Sequence, residues 1–442
     1  MRKIIIAFLL IGIIARAGDR TLPAYLDLRP IVFSLSMVMM HDVVNPPAAS
    51  RYYAYCMAGA YEIVSQNDPA TVPLKNIVNK YPEITIAPAK GSYDYKIAAV
   101  YCILETGRLM LPSGYKLEEE QTKYLTVLKK NKLSGKTINE SIKVAKDVAL
   151  KIVAWSKTDD YFKLSTRLRY RPLKGDGYWY PTPPAYMEAV EPNWKTVRPM
   201  VIDSCNQFPP AIPVTFSKDS LSEFYKLARE VYEVSVKPPQ ENMNIAAFWD
   251  CNPFAVATSG HMSIGFKKIS PGGHWMHITG LVTRQAHFSF DNSVVALALE
   301  GVTLMDAFIS CWEQKYDSNR IRPETYINRY MDVKWQPVLQ TPPFPEYTSG
   351  HAVVSNASAE LLTYLLGDNF AYTDNTEIPF GSGQRSFKSF REAAAEASMS
   401  RFYGGIHYME SITNGNQQGI RVANNIISKI KKAGILPAAN NK

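Results

Sequence analysis

The chain has 442 residues, 46% hydrophobic and 20% charged, with a formal net charge of +9. Those proportions are ordinary for a globular protein, enough for one large or two medium cores, and exclude a disordered or collagen-like chain. Five cysteines are scattered with no pair at metal-ligand spacing, so a disulfide framework is not expected and one or two bridges are the most they could form.

At the N-terminus, Arg2 and Lys3 precede an unbroken apolar run, Ile4 to Ile14, which ends in Ala15, Arg16 and Ala17. A basic start, a short apolar core and an A-x-A end predict a secretory signal peptide over residues 1–17. The run is shorter than the roughly 20 residues that span a bilayer. Export to the periplasm or the medium is therefore expected. No cysteine follows the cleavage point to carry a lipid, and removal of the leader lowers the formal charge from +9 to +6. No later stretch reads as long and apolar enough to cross a membrane. The residual basicity suits anionic substrates, and nothing points to nucleic acid or to a particular oligomeric state.

Residues 18–170 read as an N-terminal helical region. Ser50 to Val64 is aromatic and Ala-rich, Tyr93 to Gly107 has helical apolar spacing, and Thr137 to Trp155 repeats at Ile138, Ile142, Ala145, Ala149 and Ile152. The basic run Lys129 to Lys136 reads as a solvated turn. Residues 171–218 break the pattern. Nine prolines between Pro172 and Pro213 exclude long helices. Tyr178, Trp179, Tyr180, Tyr186 and Trp194 carry too much apolar area to stay wet, which predicts an ordered strap packed on the helical body. Residues 219–442 read as a C-terminal helical bundle. Helices are expected at Ser220–Val234, Asn292–Leu299, Val302–Tyr316, Gly350–Leu366, Phe387–Phe402 and Ile420–Lys432. Strand alternation is absent, so the fold class is all-α.

Three stretches of this half carry chemistry. "KYDSNRIRP" places Lys315 seven residues before Arg322 and Pro323; "YTSGHAVV" places Ser349, Gly350 and His351 at a helix start; "SRFYGGIHYMES" places Arg401 six residues before His407. Two guanidinium forks and an ammonium supply fixed positive charge and directed donors for phosphate-like oxygens. A hydroxyl and a backbone N–H at a helix N-terminus add donors where the dipole favours an anion. Two histidines complete the set, one to attack or ligate the central atom and the other to move a proton. Together they match a tetrahedral trianion passing through a five-coordinate state.

In this order and at these spacings the residues resemble the superfamily of vanadium-dependent haloperoxidases and type 2 phosphatidic acid phosphatases, whose signature runs K-x6-R-P, P-S-G-H, S-R-x5-H-x3-D. The chain has Thr348 for the second proline and Ser411, beside Glu410, where the final aspartate falls. "YWYPTPPAYMEAVEPNW" and "PGGHWMHI" look like segments of the soluble haloperoxidase branch. The resemblance implies helical bundles of that type. It implies His407 as vanadate ligand or phosphate-accepting nucleophile, His351 as acid–base residue, and Lys315, Arg322, Ser349, Gly350 and Arg401 as holders of the oxyanion. Without the aspartate, the tuning of His407 would fall to Glu410 or another carboxylate. Phe344 falls where halogenating members carry an aromatic residue or histidine near the vanadate.

Two reactions fit these residues: halide oxidation by hydrogen peroxide with vanadate as cofactor, and phosphoester hydrolysis through a phosphohistidine with no cofactor. The soluble architecture favours the first, and a non-catalytic oxyanion- or glycan-binding protein is a third reading. Among the other histidines, His274 and His277 lack a third ligand at metal spacing. His41, His261 and His287 read as structural, with His41 a candidate to line the pocket.

Overall fold

The computed structural model describes residues 22–86, 91–259, 262–265 and 268–437. The segment assigned as a signal peptide and His261 lie outside them. Among the described residues the chain is about 60% helix. Helices α1 (Arg29–His41), α2 (Pro46–Asn67), α3 (Tyr95–Met110), α4 (Leu117–Lys130) and α5 (Gly135–Ser156) form the N-terminal part. After the strap come α6 (Glu223–Val236), α7 (Gln240–Phe248), α8 (Pro271–Gln285), α9 (Phe290–Ser318), α10 (Pro323–Tyr330), α11 (Gly350–Leu366), α12 (Phe390–Tyr403) and α13 (Met409–Ala433). Two short antiparallel hairpins correct the expectation of no strands: β1 (Val256–Ser259) with β2 (Met262–Gly265), and β3 (Tyr372–Asp374) with β4 (Arg385–Phe387). At three or four residues each they are too short to show alternation.

The packing centres on α2 and α9. α2 starts where Asn45 caps the Ala48 N–H and Pro46 and Pro47 fix the first turn. It is buried on all sides from Pro46 to Val64. α9 runs unbroken through Glu300–Gly301, where the sequence predicts two helices. The glycine is a packing feature: a Cβ there would stand 3.0 Å from the Ala54 Cα, so its absence lets the α2 and α9 backbones touch. Contrary to the sequence expectation, α9 is long and apolar enough to cross a membrane by length and composition. Its most apolar 18-residue window is 94% buried by the other helices. α3 and α5 cover the far side of α2, while α8, α11 and α13 cover α9.

The strap lies over the C-terminal half of α9. Trp179 and Trp194 are buried, the Trp179 N–H donates to the Asn319 carbonyl at 2.7 Å, and the Tyr316 hydroxyl donates to the Val190 carbonyl at 2.6 Å. Asp306 of α9 accepts the backbone N–H groups of Met200, Val201 and Ile202, fixing the far end. Tyr178 and Tyr186, at 39% and 62% exposed, depart from the expectation that every strap aromatic is buried. All five cysteines are unbridged.

Candidate active site

Each functional side chain sits at an element's end, where backbone groups are unsatisfied and charge is favoured. Lys315 is in the last turn of α9, fully buried, and its Nζ donates to the carbonyls of Pro345 (3.1 Å), Glu346 (3.2 Å) and Thr348 (2.5 Å). Arg322 caps α10 from outside; Nε donates to the Phe344 carbonyl and Nη1 to the Ile406 carbonyl, both at 2.9 Å. Ser349 is the N-cap of α11, with Gly350 and His351 opening the helix. Arg401 closes α12 and its Nη1 donates to the Trp249 carbonyl at 2.7 Å, which lies 3.0 Å from His351 Nε2. His407 lies in the turn between α12 and α13. Gly350, His351, Arg401 and His407 line one cavity of about 30 Å3, walled by Phe254, Phe308, Trp312 and Phe344. Arg322 enters beside His407, while Lys315 and Ser349 brace the adjoining loop.

The carboxylate that serves His407 is Glu346. Its Oε1 lies 2.8 Å from His407 Nδ1 and also accepts the Tyr408 N–H at 3.1 Å. A carboxylate only accepts, so the ring proton sits on Nδ1 and the Nε2 lone pair faces the Arg322 Nη1, 3.1 Å away. Ser411, in the place of the family aspartate, stands 3.4 Å from Nδ1. Glu410 does not reach the histidine. It accepts the Val214 N–H and lies 2.7 Å from Arg320 Nη2. Arg320 in turn is 3.7 Å from the second oxygen of Glu346 and is enclosed by the rings of Tyr408, Phe224 and Tyr347. Glu346 was the functional residue hardest to find in sequence; its one signal is a lone carboxylate in a Pro- and aromatic-rich loop beside S-G-H.

The electrostatics are those of a cationic cavity short of an anion. Burial, with Arg322 beside it, pulls Lys315 down to about 7, and burial pushes Arg322 down to about 10. Burial and the charges of Arg322, Lys315, Arg401 and Arg320 hold His407 well below the usual imidazole range; burial and Arg401 do the same to His351. Burial raises the Glu346 carboxyl, while Arg320, Arg322 and Lys315 pull it back. Arg322 Nη2 and Arg401 Nε are buried donors without a protein partner. Unpaired guanidinium N–H groups are costly unless a ligand accepts them, so the donor set fits a tetrahedral oxyanion such as vanadate.

The remaining histidines divide. His41 pairs with Asp42 at 2.9 Å and does not line this cavity. His277 bonds Ser36 of α1 at 2.8 Å. His274 meets two carboxylates and a cysteine that sequence spacing did not connect to it. His287 has a positive φ just after α8. Phe344 packs on Trp312 with ring centroids 5.0 Å apart, in the cavity wall.

The family model described as VCPO second helical-bundle domain matches residues 295–433, which span every signature residue. No curated protein sequence matches. Among solved structures, the chain is similar to a bacterial vanadium-dependent iodoperoxidase at 40% identity and a TM-score of 0.84, over 91% of this chain and 95% of that one. A bacterial vanadium-dependent chloroperoxidase matches at 12% identity in its holo form (TM-score 0.62, 95% of each chain) and its apo form (TM-score 0.61, 86% of this chain and 93% of that one). At that identity these two bear on the fold alone. With the iodoperoxidase aligned along nearly its whole length, the chain belongs to the vanadium-dependent haloperoxidase family.

Proposed function

We propose that this haloperoxidase oxidises iodide with hydrogen peroxide, using vanadate held against His407. The observation that carries the proposal is the near full-length similarity to the bacterial iodoperoxidase. The cavity supports it: a wall of Phe254, Phe308, Trp312 and Phe344 beside the cationic groups suits a polarisable halide next to a bound oxyanion.

Vanadate, when bound, supplies the Lewis-acid centre that makes peroxide electrophilic toward halide. The chain's residues hold it and manage protons. His407 Nε2 offers a lone pair because Glu346 takes the Nδ1 proton as a hydrogen bond. Arg322 and Arg401 would accommodate the oxygens through their unpartnered guanidinium N–H groups, and Lys315, whose Nζ donates to three loop carbonyls, would add positive charge behind them. Peroxide, halide and one proton give hypohalous acid and water, so the cavity needs a group that carries protons. His351 is half-buried, and desolvation with Arg401 nearby holds it neutral, able to accept a proton from entering peroxide and to return one to the departing oxygen.

The test is peroxide-dependent oxidation of iodide by purified, vanadate-loaded protein, compared with His407→Ala. Turnover lost in the variant, with the helical fold retained, is expected. A protein that binds vanadate and oxidises neither iodide nor bromide would overturn the reading in favour of phosphoester hydrolysis.

A further inference from the structure

Behind the oxyanion cavity lies a second cluster that halide oxidation does not use. His274, on the first turn of α8, is fully buried. Its Nε2 is 2.8 Å from Asp374 Oδ2, at the end of β3, and Asp374 is itself fixed by the N–H and hydroxyl of Thr376. The other ring nitrogen, Nδ1, faces Cys251 Sγ at 3.5 Å and Glu377 Oε1 at 3.7 Å. These three atoms lie within 4.8 Å of one another, on residues all buried. Glu377 Oε1 has no hydrogen-bond partner, although its residue is only 5% exposed.

The 3.5 Å Sγ···Nδ1 approach is that of a weak hydrogen bond to sulfur, but the carboxylate edge is not a hydrogen bond. A 3.7 Å separation is too long for an N–H···O bond. A tetrahedral ion with bonds of about 2.0–2.3 Å to nitrogen, oxygen and sulfur, however, sets its ligands about 3.5 Å apart. The Nδ1–Sγ and Nδ1–Oε1 separations, 3.5 and 3.7 Å, fall near that value. The ring is oriented as metal-binding histidines are, with the nitrogen opposite the ion held by a carboxylate. We infer that Cys251 Sγ, His274 Nδ1 and Glu377 Oε1 form a three-ligand site for one divalent transition-metal ion of the zinc class. A soft thiolate beside an imidazole and a single carboxylate selects zinc or cobalt over magnesium or calcium.

The site would knit three separate parts of the chain: the segment after α7, the start of α8 and the turn after β3. The first of these also serves the active site. The Trp249 carbonyl accepts from Arg401 and lies beside His351, and Asp250 Oδ1 is 3.6 Å from Arg401 Nη2. The Trp249 ring packs against His274 at a tilt, with ring centroids 4.7 Å apart. An ion here would brace that segment, whichever anion the cavity takes.

The test is titration of chelator-treated, full-length protein with Co2+, followed by absorption. One equivalent is expected to produce a saturable thiolate-to-metal band in the near ultraviolet and to raise the melting temperature. Cys251→Ser should abolish the band, and Glu377→Gln should weaken binding at least tenfold while keeping it. No saturable band, or an unchanged band in Cys251→Ser, would overturn the assignment. X-ray absorption at the zinc edge of the zinc-loaded wild type needs no variant: one sulfur with nitrogen and oxygen neighbours is expected, and a sulfur-free shell would equally overturn it.

Discussion

Glu346 stands 61 positions before the histidine it serves, and that separation hid it from the sequence. The family spacing directs attention to position 411, where serine is too short to replace a carboxylate. The fold supplies one from the S-G-H loop instead. Glu346→Gln is expected to lower iodide oxidation about 10- to 100-fold, the usual cost of losing a ligand's orienting partner. Adding Ser411→Asp to that variant should restore part of it, since Ser411 Oγ is already 3.4 Å from His407 Nδ1. Steady-state kinetics of the pair decide the matter; a double variant no better than the single would show that only the Glu346–Arg320 arrangement supports the ring. Lys315 gives the pH dependence. Burial leaves it charged below about 7 and neutral above in the anion-free protein, whereas a bound trianion would keep it protonated. Binding above about 7 therefore takes up a proton, and affinity falls by up to about tenfold per pH unit from this group. Vanadate titrations across pH should show this slope in the wild type and a flatter one in Lys315→Gln. The comparison cancels the anion's own titration, and equal slopes would remove Lys315 from the site.

At the scale of elements, apolar periodicity located most long helices, with α11 placed end to end over Gly350–Leu366. It failed where packing rather than amphipathicity sets the helix. α13 begins at Met409, eleven residues before the predicted start, because its first turns present small residues to a neighbouring backbone instead of an apolar stripe. A Cβ on Gly419 would stand 2.1 Å from the Val353 carbonyl oxygen, and one on Gly415 would stand 3.1 Å from the Ser349 oxygen. These glycines seat α13 against the first turn of α11, which carries Ser349, Gly350 and His351. Gly419→Ala must push that turn away. It is expected to cost about 1–3 kcal/mol, as overpacking does, and to weaken vanadate binding as well. Gly383→Ala, with nothing within 4 Å of its Cβ, is the control and should change stability by less than about 0.5 kcal/mol. Denaturant unfolding and vanadate titration of both variants check this. Gly419→Ala with wild-type affinity would mean that α11 is positioned from elsewhere.

For the whole molecule, the residues expected to hold the oxyanion stood out as a constellation at fixed spacing, and the fold brings Gly350, His351, Arg401 and His407 to one cavity, but the groups that support them were not legible. The site draws on the ends of α9 and α12, the start of α11, the cap of α10 and the Trp249–Cys251 segment, which only the fold assembles. That convergence has a thermodynamic consequence. The native state buries Lys315, Arg320, Arg322 and Arg401 close together, with Glu346 and Glu410 beside Arg320 and Asp250 beside Arg401, whereas the unfolded chain leaves all of them in water. An anion that fills the cavity binds the native state alone and stabilises it by RT ln(1 + [L]/Kd), about 2.7 kcal/mol at a hundredfold excess over Kd. Vanadate should therefore raise the melting temperature, and phosphate, of nearly the same shape, should raise it less. The difference tests His407. Hydrogen bonds from the arginines serve either anion, but a nitrogen ligand adds to vanadate only. In His407→Ala the vanadate shift should fall to the size of the phosphate shift, which should itself persist. Melting curves unmoved by either anion would mean that the cationic cavity is neutralised within the protein. Equal loss of both shifts would mean that His407 organises the arginines rather than ligating the anion's central atom.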